Sequence, residues 1–133
     1  MFIELCSLLV AILLPILTKV PLAIAMIKEK GYDNRYPRQQ QQRLMGFGAR
    51  AKASHENAFE ALILYAPIIV LTMALNSTST LSQYGALGWI LSRLVYHTAY
   101  LLNWPLLRSV VWLVSYSCTM IILLSLLFKW NSP

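Results

Sequence analysis

Charged and hydroxyl-bearing side chains recur at helical spacing inside stretches that are otherwise almost pure hydrocarbon. Arg50, Ala53, Asn57, Glu60 and Leu64 follow the order i, i+3, i+7, i+10, i+14 and share one helical stripe. Trp89, Arg93, Tyr96, Tyr100 and Trp104 form a second stripe, with His97 at its edge, and Arg108, Trp112, Ser115 and Thr119 form a third. Guanidinium groups grip carboxylates and favour the charged form of a bound acid, so these arginines describe a site for an anionic ligand. Ionisable residues inside apolar spans are costly and mark function. Glu56 flanks the first stripe, and His55 points nearly the opposite way, as an interhelical hydrogen-bond partner.

Depth adds a second constraint. Glu60 stands ten residues after Arg50, and Arg93 ten residues before Asn103. At 1.5 Å per residue both lie about 15 Å below the same surface. A lone carboxylate and a lone guanidinium at one depth are expected to pair. Asn57, Tyr100 and Arg108 then fall progressively nearer the surface, giving a polar funnel sealed at its base by the Glu60–Arg93 pair. Ser115 and Thr119 suit helix packing.

The elements that must position these residues follow from composition. The chain has 133 residues, 58% of them hydrophobic and only 12% charged, with a mean hydropathy of +0.59. A soluble core of one domain could not hide so much apolar surface, whereas a bilayer can. Four segments approach the roughly 20 residues that a span needs: about 4–27, 50–75, 83–103 and 108–129. The fold class is therefore an all-α integral membrane bundle of four helices in one domain over 1–133. Pro15 and Pro21 should kink the first helix. Lys19, about two turns from its end, can snorkel.

Seven of the eleven Lys and Arg residues fall between Lys28 and Lys52. Cytoplasmic loops carry such an excess, so the 28–49 loop and the 103–108 corner are expected inside and both termini outside, in a multi-pass protein. The basic cluster sits beside membrane helices and lacks interleaved aromatics, which fits anionic membrane lipids and argues against nucleic acid. Cys6 and Cys118 differ in depth by roughly 10 Å, too far for a disulfide. Met1-Phe2-Ile3-Glu4 has no basic n-region, so a cleaved signal peptide is not expected. Asn76-Ser77-Thr78 matches a glycosylation acceptor in form, but reads better as a plain Ser/Thr turn.

The stretch Tyr32-Asp33-Asn34-Arg35-Tyr36-Pro37-Arg38, followed by Arg50-Ala51-Lys52-Ala53-Ser54-His55-Glu56-Asn57-Ala58-Phe59-Glu60, resembles the MAPEG superfamily. These are the membrane-associated proteins of eicosanoid and glutathione metabolism, and the likeness is to the bacterial, microsomal glutathione transferase type. Arg93 with Tyr100 seven residues on, and Arg108-Ser109 opening the last helix, continue it over almost the whole chain. The resemblance implies a left-handed four-helix bundle assembled as a homotrimer in a bacterial inner membrane. It also implies glutathione as co-substrate, held in a U shape between subunits near the cytoplasmic face. By the same resemblance Asn57, Glu60, Tyr100, Arg108 and Ser109 contact or support glutathione, with Arg50, Arg93 and Tyr96 beside them. Arg108 would hold the thiolate, and Tyr100 would act with it.

Departures from the family pattern narrow the reading. Glu56 stands where a basic or neutral residue is usual, and would oppose a glutathione carboxylate unless Arg50 or Lys52 neutralises it. Tyr96 replaces a histidine and Trp112 an aromatic hydroxyl of the prostaglandin E synthase type. General conjugation of glutathione to lipophilic electrophiles, or peroxide reduction, fits better than eicosanoid synthesis. Two other classes compete: a glutathione-inert lipid-binding scaffold of the same fold, and a small multidrug-type transporter. The transporter needs a carboxylate deep in its first helix, whereas Glu4 lies at the edge.

Overall fold

The computed structural model describes residues 1–130; Pro133, on which the expected outside C-terminus rests, lies outside the described residues. Five helices follow in order: α1 (Phe2–Lys30), α2 (Pro37–Arg43), α3 (Phe47–Ala74), α4 (Thr80–Leu101) and α5 (Pro105–Trp130). Three of them, α1, α3 and α5, are long and apolar enough to cross a membrane. The fourth expected span, α4, has the length but not the apolarity. Ser82, Ser92, Arg93 and His97 lower it, and all four are buried against neighbouring helices.

The helices pair as α1 with α3 and α4 with α5, and α1 also crosses α4. At one end the start of α1 meets the start of α4, where the Ser82 hydroxyl donates to Glu4 at 2.9 Å. Lys129 of α5 reaches the Asn76 carbonyl at 3.0 Å at that same end. Between them Tyr65 of α3 stacks on Trp89 of α4, with ring centroids 3.9 Å apart, and donates to the Ser7 hydroxyl at 2.7 Å. Trp89 is therefore core and takes no part in a polar stripe. The α4–α5 approach is close because Gly85 and Gly88 carry no side chain. A Cβ on Gly85 would stand 2.8 Å from Ile122, and one on Gly88 2.9 Å from the Cys118 sulfur.

At the other end the 28–49 segment is more ordered than a loop. Its short helix α2 opens on Pro37, whose fixed φ suits a first helical position. Buried Gln40 ties the segment together. Its amide donates to the carbonyls of Met26 (3.0 Å) and Gly31 (2.7 Å), and its oxygen accepts from the Asp33 N–H at 3.0 Å. α1 also continues to Lys30, so Lys19 lies about three turns from the end of the helix.

Candidate functional site

The corner between α4 and α5 positions the site. α4 ends at Leu101, and Asn103 takes a left-handed conformation, φ 60°. The Trp104 N–H returns to the Ala99 carbonyl at 2.9 Å, and the Arg108 N–H bonds to the Trp104 carbonyl at 3.0 Å. The chain thus reverses within three residues. Arg108, on the first turn of α5, comes to face Tyr100, on the last turn of α4.

A cavity of about 510 Å³ opens there, lined by Tyr96, Tyr100, Arg108, Ser109, Trp112 and Leu113. The Arg108 guanidinium carbon lies 4.5 Å from the centroid of the Tyr100 ring, close enough for a cation–π contact. Tyr100 meets Tyr96 edge to face, with centroids 5.5 Å apart, and Arg93 lies over Tyr96 at 4.4 Å. Two guanidinium groups thus bracket two tyrosine rings. Arg108 donates no hydrogen bond to any described residue, so its fork of N–H groups is available to a ligand. Ser109 turns its hydroxyl back to the Pro105 carbonyl at 3.0 Å. Trp112 packs on Tyr116 at 4.2 Å, and with Leu113 makes an apolar wall.

Arg93 is fully buried. Its Nη2 donates to the Asn57 side-chain oxygen at 2.6 Å and to the Asn57 carbonyl at 3.2 Å, while Nε and Nη1 have no partner among the described residues. The Asn57 amide in turn donates to Glu60 at 2.7 Å. The expected Glu60–Arg93 ion pair is therefore corrected: no such pair forms within 4 Å, and Asn57 stands between the two groups. Matched depth placed them at one level, but rotation about α3 leaves Glu60 exposed and turns Asn57 toward α4.

Of the residues singled out in the sequence, Tyr96, Tyr100, Arg108 and Ser109 line the cavity. Arg93 joins it through Tyr96, and Asn57 and Glu60 stand behind Arg93. Arg50 does not line it, and its buried Nε has no partner among the described residues. Lys52 binds Glu56 at 2.7 Å, which neutralises the acid that departs from the family pattern. His55 bonds across helices to Thr18 at 3.1 Å. His97 is buried rather than at a stripe's edge, bonded to Ser54 at 2.8 Å. Ser115 and Thr119 satisfy their hydroxyls on carbonyls of their own helix. Leu113 was missed, since one leucine among many carries no signal.

Comparison with curated proteins and with solved structures gave no match. A family model, by contrast, matches residues 3–128, reaching into all five helices and covering every residue of the site, and on that match the chain belongs to the MAPEG family.

Proposed function

We propose that this protein is a membrane-bound, glutathione-dependent transferase or peroxidase acting on lipophilic electrophiles. One observation carries the reading: Arg108 stands at the rim of the α4–α5 cavity, backed by the Tyr100 ring, with its donors free. Glutathione carries two carboxylates and an amine, and the residues present suit it. Arg108 and Arg93 supply positive charge, Lys52 cancels Glu56, and the cavity falls within the size range of small-molecule sites.

When bound, glutathione supplies the nucleophilic sulfur. Arg108 favours its thiolate form, because a guanidinium within hydrogen-bond reach stabilises the charged sulfur over the thiol. The Tyr100 ring fixes the plane of that guanidinium, and its hydroxyl has no partner among the described residues, so it can donate to the same sulfur. Tyr96, held by Arg93, closes the inner side, and Trp112 and Leu113 offer an apolar face to an electrophile arriving laterally from the bilayer. In this reading α4 crosses the membrane with α1, α3 and α5, shielded by them. The chain assembles as a homotrimer with its site at the cytoplasmic face, Arg50 of the basic segment lies at the site's entrance, and the host membrane is a bacterial inner membrane.

The test is a calorimetric titration of the detergent-solubilised protein with glutathione, alongside ultraviolet absorbance of the thiolate. Saturable heat together with a thiolate band is expected. Neither signal from a folded protein would turn the reading to the glutathione-inert scaffold.

A further inference from the structure

The basic end of the bundle carries two adjoining recesses, and neither belongs to the site at the α4–α5 corner. One, of about 250 Å³, is polar and is lined by Glu29, Lys30, Asp33 and Arg43 together with buried Gln40. The other, of about 350 Å³, is largely apolar and is lined by Leu44, Met45 and Phe47 together with Lys28 and Glu29. Glu29 lines both. Along α1 the apolar recess starts at Ala25 and the polar one reaches Gly31, a span of about 9 Å at 1.5 Å per residue. The exposed apolar side chains of Ile24 and Ile27 give way there to Lys28, Glu29 and Lys30. The helix therefore passes from hydrocarbon to headgroups beside the two recesses, through a layer about 5–7 Å thick on each side of a bilayer.

The groups that line them lack partners within the chain. Lys28, Glu29 and Lys30 make no ion pair or hydrogen bond with any described residue. Arg43 donates only its Nε, to the Gln39 carbonyl at 3.4 Å, and both Nη groups are free of described partners. Asp33 is different, since one carboxylate oxygen accepts from the N–H groups of Arg35 and Tyr36 and so shapes the turn. Met45, between α2 and α3, is 85% exposed, and Phe47 is exposed beside it. Adjacent large apolar side chains left so open mark a contact surface. An occupant must offer an anion to Lys28 and Arg43, a cation to Glu29 and hydrocarbon to Met45 and Phe47. A purely anionic lipid leaves Glu29 opposed, and a choline headgroup brings a cation with no N–H to donate. A phospholipid with a primary ammonium satisfies all three.

We propose that the double recess binds a phospholipid of the phosphatidylethanolamine type. Its phosphate lies on Lys28 and Arg43, its ammonium on Glu29, and the start of its acyl chains against Met45 and Phe47. This site stands apart from the glutathione reading and requires only that the long helices lie in a bilayer.

Competition between headgroups tests it in the full chain. Phosphatidylethanolamine, phosphatidylcholine and phosphatidylglycerol with identical acyl chains are added in mild detergent, and retained lipid is read by native mass spectrometry. The first should be retained about threefold or more over either of the others, the worth of one exposed ion pair. Glu29→Gln should abolish that preference, and Arg43→Gln should lower retention of all three. Equal retention by the wild type, or a preference that survives Glu29→Gln, would overturn the proposal. A second arm uses no charge variant. With p-benzoylphenylalanine at Met45, irradiation in membranes of mixed headgroups should give lipid adducts enriched in phosphatidylethanolamine over the bulk. Adducts in bulk proportion would show ordinary boundary lipid, and adducts to a second copy or another protein would put a polypeptide there. Either result overturns the site.

Discussion

The Arg108 guanidinium rests on the face of Tyr100, 4.5 Å from the ring centroid. The contact spans a helix corner and uses the ring face, not the hydroxyl. Its two halves can therefore be separated by mutation.

Tyr100→Phe keeps the face and should leave Arg108 in place, losing only what the hydroxyl contributes. Tyr100→Leu removes the face, whose contact is worth about 0.5–2 kcal/mol, and should lower turnover further. Arg108→Ala should cost about 10²–10³ in turnover of a generic aromatic electrophile with little change in melting temperature. Arg108→Lys should recover part, since a point charge lacks the planar fork. Equal thiolate formation in wild type and Arg108→Ala would reduce Arg108 to a topological anchor.

Asn57, not Glu60, is the side-chain partner of Arg93. Asn57→Leu leaves a fully buried guanidinium with only one backbone carbonyl, at a cost of about 3–5 kcal/mol before water entry and relaxation reduce it. Arg93→Met together with Asn57→Leu should be better folded than the two single losses predict. The coupling should survive Glu60→Gln, because the glutamine oxygen still accepts from Asn57. Additive losses in thermal melts of this cycle would show that the 2.6 Å contact contributes nothing.

These two cases mark what could be read from the residues alone. Apolar runs gave the long helices, because burying hydrocarbon in a bilayer is the largest requirement on them. The Tyr96–Tyr100–Arg108 constellation was legible because its spacing is helical and its corner short. Depth, however, is only one coordinate. It put Glu60 level with Arg93 but could not give the rotation that inserts Asn57 between them. Helix α2 was invisible, since Pro37–Arg43 is a polar segment of seven residues with no apolar period. Gln40 is one of four consecutive glutamines, and only its three hydrogen bonds distinguish it.

Gln40 should consequently behave unlike its neighbours. Gln40→Ala removes three hydrogen bonds, leaving the Gly31 carbonyl and the Asp33 N–H without their side-chain partner, and should loosen the segment by about 1–3 kcal/mol. Limited proteolysis between Gly31 and Gly46 should then quicken roughly tenfold or more, while Gln39→Ala, at an exposed position, changes nothing. Equal cleavage of the two variants would show that the segment is held by something else.

The basic segment predicts orientation. In a background without Cys6 and Cys118, Arg38→Cys and Asn76→Cys place single exposed thiols at opposite ends of the bundle. A membrane-impermeant maleimide applied to intact cells should label the thiol at 76 and spare the one at 38 until the membrane is opened. The reverse pattern would move the site to the outer face.

Asn103 sets the geometry on which the site depends. Its φ of 60° is left-handed, a conformation that asparagine and glycine adopt readily and a β-branched residue does not. Here it lets α4 stop and α5 begin within three residues, which brings Arg108 back against Tyr100. Asn103→Gly should preserve both stability and turnover. Asn103→Val should cost about 1–2 kcal/mol if the corner holds its shape. If the corner relaxes instead, α5 starts at a different angle and Arg108 leaves the ring, so turnover falls while the melting temperature barely moves. Thermal melts and turnover measured together separate these responses, and a valine variant unchanged in both would show that the corner does not depend on the left-handed residue.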